Sequence, residues 1–130
     1  MIYDYTHQIH RYFGLEQALV KIPELLLQPW EDGLYTEGSL EITVASYIPQ
    51  QFQHSFSSYK EKTVFYTVLE GSELVVTGYR AQRIESSGVS ASIQAKPGRF
   101  MLFLPGEIFC TSLLEHDQEG FVRSMKVGFL

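Results

Sequence analysis

The sequence predicts an antiparallel β-sandwich or barrel with one short amphipathic helix packed outside it. Three observations carry this: one helical apolar face near the start, a long succession of short β-prone runs after Gly38, and Gly- or Pro-containing turns between those runs. The helical face is formed by Leu15, Ala18, Leu19, Ile22 and Leu26, whose offsets place them on one side of a 3.6-residue period. Pro23 interrupts it, since proline has no N–H and its ring crowds the carbonyl four residues back. A helix of about two turns ending near Lys21, or a kink before Glu24 to Leu27, is expected. Pro29, Asp32 and Gly33 mark the loop that follows.

Beyond Gly38 the pattern changes period. Leu40, Ile42 and Val44 alternate with Glu41, Thr43 and Ala45, as in a half-buried strand. Thr63 to Leu69 and Glu73 to Thr77 are β-branched or aromatic runs split by Glu70-Gly71-Ser72, which reads as a hairpin with Glu70 as a hairpin residue. Ser90 to Ala95, Phe100 to Leu104 after Lys96-Pro97-Gly98, and Val122 to Phe129 are further strand candidates. Barrels of this kind hold small ligands inside, so the inward residues are where function is sought.

Composition bounds the rest. A chain of 130 residues supports one domain, taken as residues 1–130, and near this length folding buries roughly two thirds of the unfolded surface. Apolar residues at 45% against charged residues at 19% exclude wholesale disorder. Ten Lys plus Arg against fifteen Asp plus Glu give a net charge of −5, with no basic stripe, so nucleic acid is not an expected partner. No apolar run is long enough to span a bilayer, and Met1-Ile2-Tyr3-Asp4 does not resemble a signal peptide, so a cytoplasmic protein without membrane partners is expected. The single cysteine, Cys110, fits a reducing compartment.

Several segments resemble, in order, one bacterial family. Met1-Ile2, Asp4, Arg11-Tyr12, Gly14-Leu15 and Leu19 resemble its opening; Phe56 and Val68-Leu69-Glu70-Gly71 its middle; Lys96-Pro97-Gly98, Phe103, Pro105-Gly106-Glu107 and Lys126-Val127 its last part. This is the YhcH/YjgK/YiaL family, which includes the small subunit of an evolved β-galactosidase. The resemblance covers nearly the whole chain. It implies a double-stranded β-helix, the cupin-like jelly roll, with a cavity open at one end and a role in the catabolism of sialic acids and other acidic sugars. It also implies a cavity metal held by a Glu, a His two residues on, an Asp five residues later and a second His after Pro-Gly-Asp/Glu.

Those ligand positions fall on Ser57, Tyr59, Val64 and Phe109. Ser and Tyr offer a neutral hydroxyl and a phenol that ionises only near pH ~10, while Val and Phe offer no donor at all, so an empty metal site and no cofactor are expected. Alternative donors are weak. His7 and His10 precede the helix and read by default as a solvated surface pair; His54 reads as packed at the barrel edge; His116 lies in a polar loop. Cys110 reads as a buried apolar residue facing away from Phe109.

The remaining candidates for ligand binding are Ser57, Tyr59, Tyr66, Glu107, Phe109 and Lys126, with Glu107 the one weak candidate for acid/base catalysis. Each has a plainer reading: Tyr66 and Tyr59 as core, Glu107 as part of the Pro105-Gly106 turn, Lys126 as a charge on the solvent face of a strand whose other face carries Met125, Val127 and Phe129. Two functions compete. One is a protein of carbohydrate metabolism binding a small sugar or sugar acid in a metal-free cavity. The alternative is a non-catalytic accessory or regulatory subunit of a sugar-processing enzyme, with a degenerate pocket. A homodimer is the expected assembly, and any turnover would be metal-independent sugar isomerisation or epimerisation.

Overall fold

A computed structural model describes residues 1–48, 57–58, 62–79, 91–112 and 121–129, with the backbone alone described at 57–58, 78–79, 91, 108 and 110–112. Ten strands follow one another: β1 (Ile2–Tyr5), β2 (Gly33–Glu37), β3 (Leu40–Tyr47), β4 (Ser57–Ser58), β5 (Thr63–Glu70), β6 (Glu73–Tyr79), β7 (Ala91–Ala95), β8 (Arg99–Phe103), β9 (Glu107–Ser112) and β10 (Val122–Phe129). They form a six-stranded sheet in the order β1-β8-β5-β10-β3-β2 and a four-stranded sheet in the order β4-β9-β6-β7. All these neighbours pair antiparallel. The chain passes repeatedly from one sheet to the other, as in a jelly roll.

The period-two residues of the large sheet are apolar on both faces. Leu40, Ile42, Val44, Phe65, Phe100, Leu102, Met125, Val127 and Phe129 form one core with Ile9, Leu19, Ile22 and Leu25 of the N-terminal helical layer. Val64, Tyr66, Val68, Met101, Phe103 and Val122 form the other with Val75, Ala95 and Phe109 of the small sheet. The large sheet is therefore the middle of three layers.

The helical layer differs from the expected single helix. Thr6–Tyr12 and Gln17–Lys21 are 3₁₀ segments, and α1 covers Ile22–Leu27. Pro23 explains the division: it falls in the first turn of α1, where its missing N–H has no intrahelical partner to lose. The buried positions are Leu19 of the second 3₁₀ segment and Ile22 and Leu25 of α1, while Leu15, between the two 3₁₀ segments, is 58% exposed and Ala18 and Leu26 are half-buried. Trp30 Nε1 donates to the Leu25 carbonyl at 2.6 Å and closes the C-terminal end of α1. Asp4 of β1 accepts from the Tyr12 hydroxyl at 2.6 Å, which lowers the Asp4 pKa, and so fastens this layer to the sheet.

Four strands do not come from the residue patterns: β1, β2, β4 and β9. Gly33, expected in the loop, opens β2. The other runs agree with their expected limits to within a residue or two.

The hairpin expected across Glu70-Gly71-Ser72 is a corner instead. β5 belongs to the large sheet and β6 to the small one, so the two runs do not pair. Gly71 makes this possible with φ +82° and with the Phe121 carbonyl oxygen only 2.3 Å from where a Cβ would stand. Gly98, with φ +83° and nothing within 4 Å of that point, is a useful contrast. Gly98→Ala is expected to cost about 1 kcal/mol of backbone strain, and Gly71→Ala at least about 1 kcal/mol more, measured by urea unfolding. Equal losses would show that the Phe121 contact does not constrain the corner.

Candidate functional site

The space between the sheets is lined by alternate residues of each strand. From β5 come Val64, Tyr66 and Val68, from β6 Val75, from β8 Met101 and Phe103, from β9 Phe109 and from β10 Val122. Strand parity then places Ser124 and Lys126 of β10, and Glu73 and Thr77 of β6, on the same inner side. Tyr47 of β3 packs against this inner cluster.

Its polar centre is Glu73, which is 0% exposed. The hydroxyls of Tyr47 and Tyr66 both donate to Glu73 Oε1. A buried carboxylate is costly unless hydrogen-bonded, and two phenols from the large sheet supply those bonds to a side chain of the small sheet. The carboxylate thus clasps β6 to β3 and β5.

Lys126 lies opposite Tyr66 on one side and Thr43 on the other in the sheet register. Its Nζ stands 5.5 Å from the centroid of the Phe109 ring, a cation–π distance. Burial pushes the Lys126 ammonium below the ordinary lysine range, and the Glu73 carboxylate pulls it part of the way back. Phe109 stacks on Phe103 at 4.2 Å with 10° between the planes, and lies 6.3 Å from Tyr66. Thr43, Ala45, Tyr47 and Lys126 are half-buried, which leaves the inner face partly open along β3 and β10.

Of the candidate residues, Tyr66, Phe109 and Lys126 come together here. The Ser57 backbone pairs with Phe109 across β4 and β9; its side chain, that of Cys110, and the whole of Tyr59, His54 and His116 lie outside the described residues. Lys126 does not lie on a solvent face, because the Met125, Val127 and Phe129 face is the one beneath the helical layer. Glu107, at the start of β9, is 6% exposed. Its Oε1 accepts from the Leu104 N–H at 2.9 Å, its Oε2 pairs with the Met1 ammonium, and its own N–H donates to the Leu104 carbonyl at 3.1 Å, so its carboxylate closes the turn before β9.

Known structures with the same architecture are cupins. A cupin protein from Bacteroides fragilis superposes with a TM-score of 0.55 at 11% identity over 79% of this chain and 80% of that one. The Schizosaccharomyces pombe Cnp3 cupin domain gives 0.55 at 12% identity over 76% and 58%. This chain has a cupin fold. Hydroxypropylphosphonic acid epoxidase from S. wedmorenis also matches, with a TM-score of 0.55 at 17% identity over 70% of this chain and 44% of that one, so the match spans less than half the epoxidase. No family model matches the sequence, and no curated protein does either.

The positions at which the family resemblance implies a metal do not suit one in this chain. Val64 and Phe109 point inward with hydrocarbon side chains, and Ser57 is a neutral hydroxyl residue. Among the described residues no three His, Cys, Asp or Glu side chains are grouped to hold an ion.

Sequence reasoning missed Glu73 and Tyr47. In ELVVT the residues Glu73, Val75 and Thr77 and their neighbour Val76 are all buried, so no alternation marks the inner face. The available signal was a charged residue sharing parity with Val75.

Two measurements test this geometry. Tyr66→Phe is expected to cost about 1.5–3 kcal/mol in urea unfolding, and adding it to Glu73→Leu should cost about 0.5–3 kcal/mol less than the sum of the two single changes. Additive losses would mean that the phenol and carboxylate do not act as a pair. For Lys126, the folded pKa lies below the ordinary 10.5. In the window just beneath 10.5 the unfolded chain therefore holds a proton that the folded one has released, and stability rises with pH. The unfolding free energy of the parent relative to Lys126→Met should accordingly increase as pH climbs through that window; a flat difference would place Lys126 in water.

Proposed function

We propose that this cupin binds a small sugar acid on the inner face of its barrel without a metal ion. The observation that carries the reading is Lys126, an ammonium held inside the barrel over the Phe109 ring on a partly open face. An ammonium there supplies the charge a sugar carboxylate needs, and the hydroxyl of the half-buried Thr43 opposite it can exchange hydrogen bonds with the sugar's hydroxyls. The family resemblance to proteins of acidic-sugar catabolism points the same way.

No acid/base mechanism follows from the arrangement. Glu107 is engaged at its turn, and Glu73 is committed to two phenols, so neither is a proton acceptor placed on an open face. Binding is the activity that the cluster supports.

One observation favours the accessory-subunit reading instead. Phe103 and Phe109 stack tightly in the interior, and the crevice beside Tyr66, Ala95 and Met101 has no room for even a water molecule. A barrel closed in this way would act through its surface on a larger sugar-processing enzyme.

Thermal-shift measurements with sialic acid, glucuronate and glucose distinguish the two. The sugar acids are expected to raise Tm where glucose does not, and Lys126→Met should abolish the rise. Elemental analysis of the same preparation should find no stoichiometric transition metal. No response to either acid, together with co-purification of a larger sugar-processing enzyme, would replace the binding reading with the accessory one.

A further inference from the structure

A second concave site lies in the helical layer, away from the barrel interior. A groove of about 460 Å³ is lined by Ile9, Phe13, Leu26 and Leu27, with His7 and His10 among its other residues. That volume is within the range of small-molecule sites, about 300–1,000 Å³. Leu27 is 86% exposed, an unusual position for a leucine with a concave apolar surface beside it.

The two histidines are placed by backbone geometry. They are three residues apart in the 3₁₀ segment Thr6–Tyr12, and on a three-residue turn such side chains eclipse. Both are exposed and both line the groove. What reads in the sequence as a solvated surface pair is therefore a pair of imidazoles on one side of a helical turn, next to an apolar wall. An imidazole offers at least one N–H donor in either protonation state. Among the described residues that line the groove there is no Asp or Glu, although the chain carries fifteen and a net charge of −5. Two side chains are too few to make this a metal centre, and no third ligand is grouped with them among the described residues.

We propose that this groove binds a small amphipathic carboxylate, its apolar body against Ile9, Phe13, Leu26 and Leu27 and its carboxylate accepting hydrogen bonds from His7 and His10. The charge complementarity selects this occupant: an apolar groove without acidic lining and with two eclipsed imidazoles favours an anionic head over a neutral or cationic one.

The test compares three ligands with the same ten-carbon chain, decanoate, decanol and decyltrimethylammonium, below their micelle concentrations, by thermal shift and by ¹H–¹⁵N NMR titration. Decanoate is expected to bind more tightly than the other two, with shifts centred on residues 6–13 and 22–27. The His7→Ala/His10→Ala double variant should weaken decanoate about tenfold or more and leave decanol unchanged. Both substitutions are at exposed positions, so folding is not at risk. Leu27→Glu should weaken both, decanoate more than decanol. Equal binding of decanoate and decanol would remove the anion site, and absence of binding by all three would remove the ligand site altogether. A concentration-dependent dimer that Leu27→Glu disrupts and decanoate does not compete with would show that a second copy of the chain covers the groove, and would overturn the proposal.

Discussion

The hydrogen bonding of one buried carboxylate governs the interior of this barrel. Glu73 belongs to the small sheet, and the two hydroxyls that reach its Oε1 belong to β3 and β5 of the large one. An unsatisfied carboxylate in that position would cost more than most single core contacts return, so the two sheets must be held where both phenols can reach it. The Gly71 corner brings β6 to that position three residues after β5 ends, and the close approach of the Phe121 carbonyl fixes how the corner turns. Local backbone freedom at one glycine and the hydrogen bonding of one carboxylate are two parts of a single constraint.

The architecture was legible in the sequence wherever apolar periodicity had only one interpretation. β3, β5, β7, β8 and β10 stand close to where their patterns place them. The inner face was not legible, and the reason is physical. In a three-layer arrangement the middle sheet packs on both sides, so the alternation in β3 and β10 separates a buried face from a half-buried one rather than core from solvent. The more apolar face, with Ile42, Val44, Met125 and Val127, packs under the helical layer, and the more polar one, with Thr43, Tyr47 and Lys126, packs toward the barrel. Reading the polar face as the wet one assigns Lys126 to solvent and overlooks Tyr47. The helical layer was misread for a different reason: one 3.6-residue face drawn from Leu15 to Leu26 runs across the break between the 3₁₀ segment Gln17–Lys21 and α1, so it takes in Leu15, which is exposed and precedes both, and omits Leu25 of α1, which is buried.

The same geometry decides which candidate chemistry survives. A side chain can act on a ligand only if its polar atoms are not already committed, and by that criterion Glu107 and Lys126 exchange standing. Glu107 sits at a surviving acidic position of the family resemblance, yet its oxygens are engaged by the Leu104 N–H and the Met1 ammonium. Lys126 is half-buried over the Phe109 ring, in surroundings that make its charge less favourable than in water.

An incoming carboxylate would relieve that cost. Lys126 is partly desolvated in the absence of ligand, so the penalty for stripping water from its ammonium is met in part when the chain folds. A surface lysine would meet it on binding. Glu73 lowers the gain, because its charge already stabilises the ammonium, and so a ligand must bring more than charge to compete with that arrangement. A bare anion has nothing else to offer. A sugar acid also brings hydroxyls for the half-buried Thr43, which lies opposite Lys126 in the strand register.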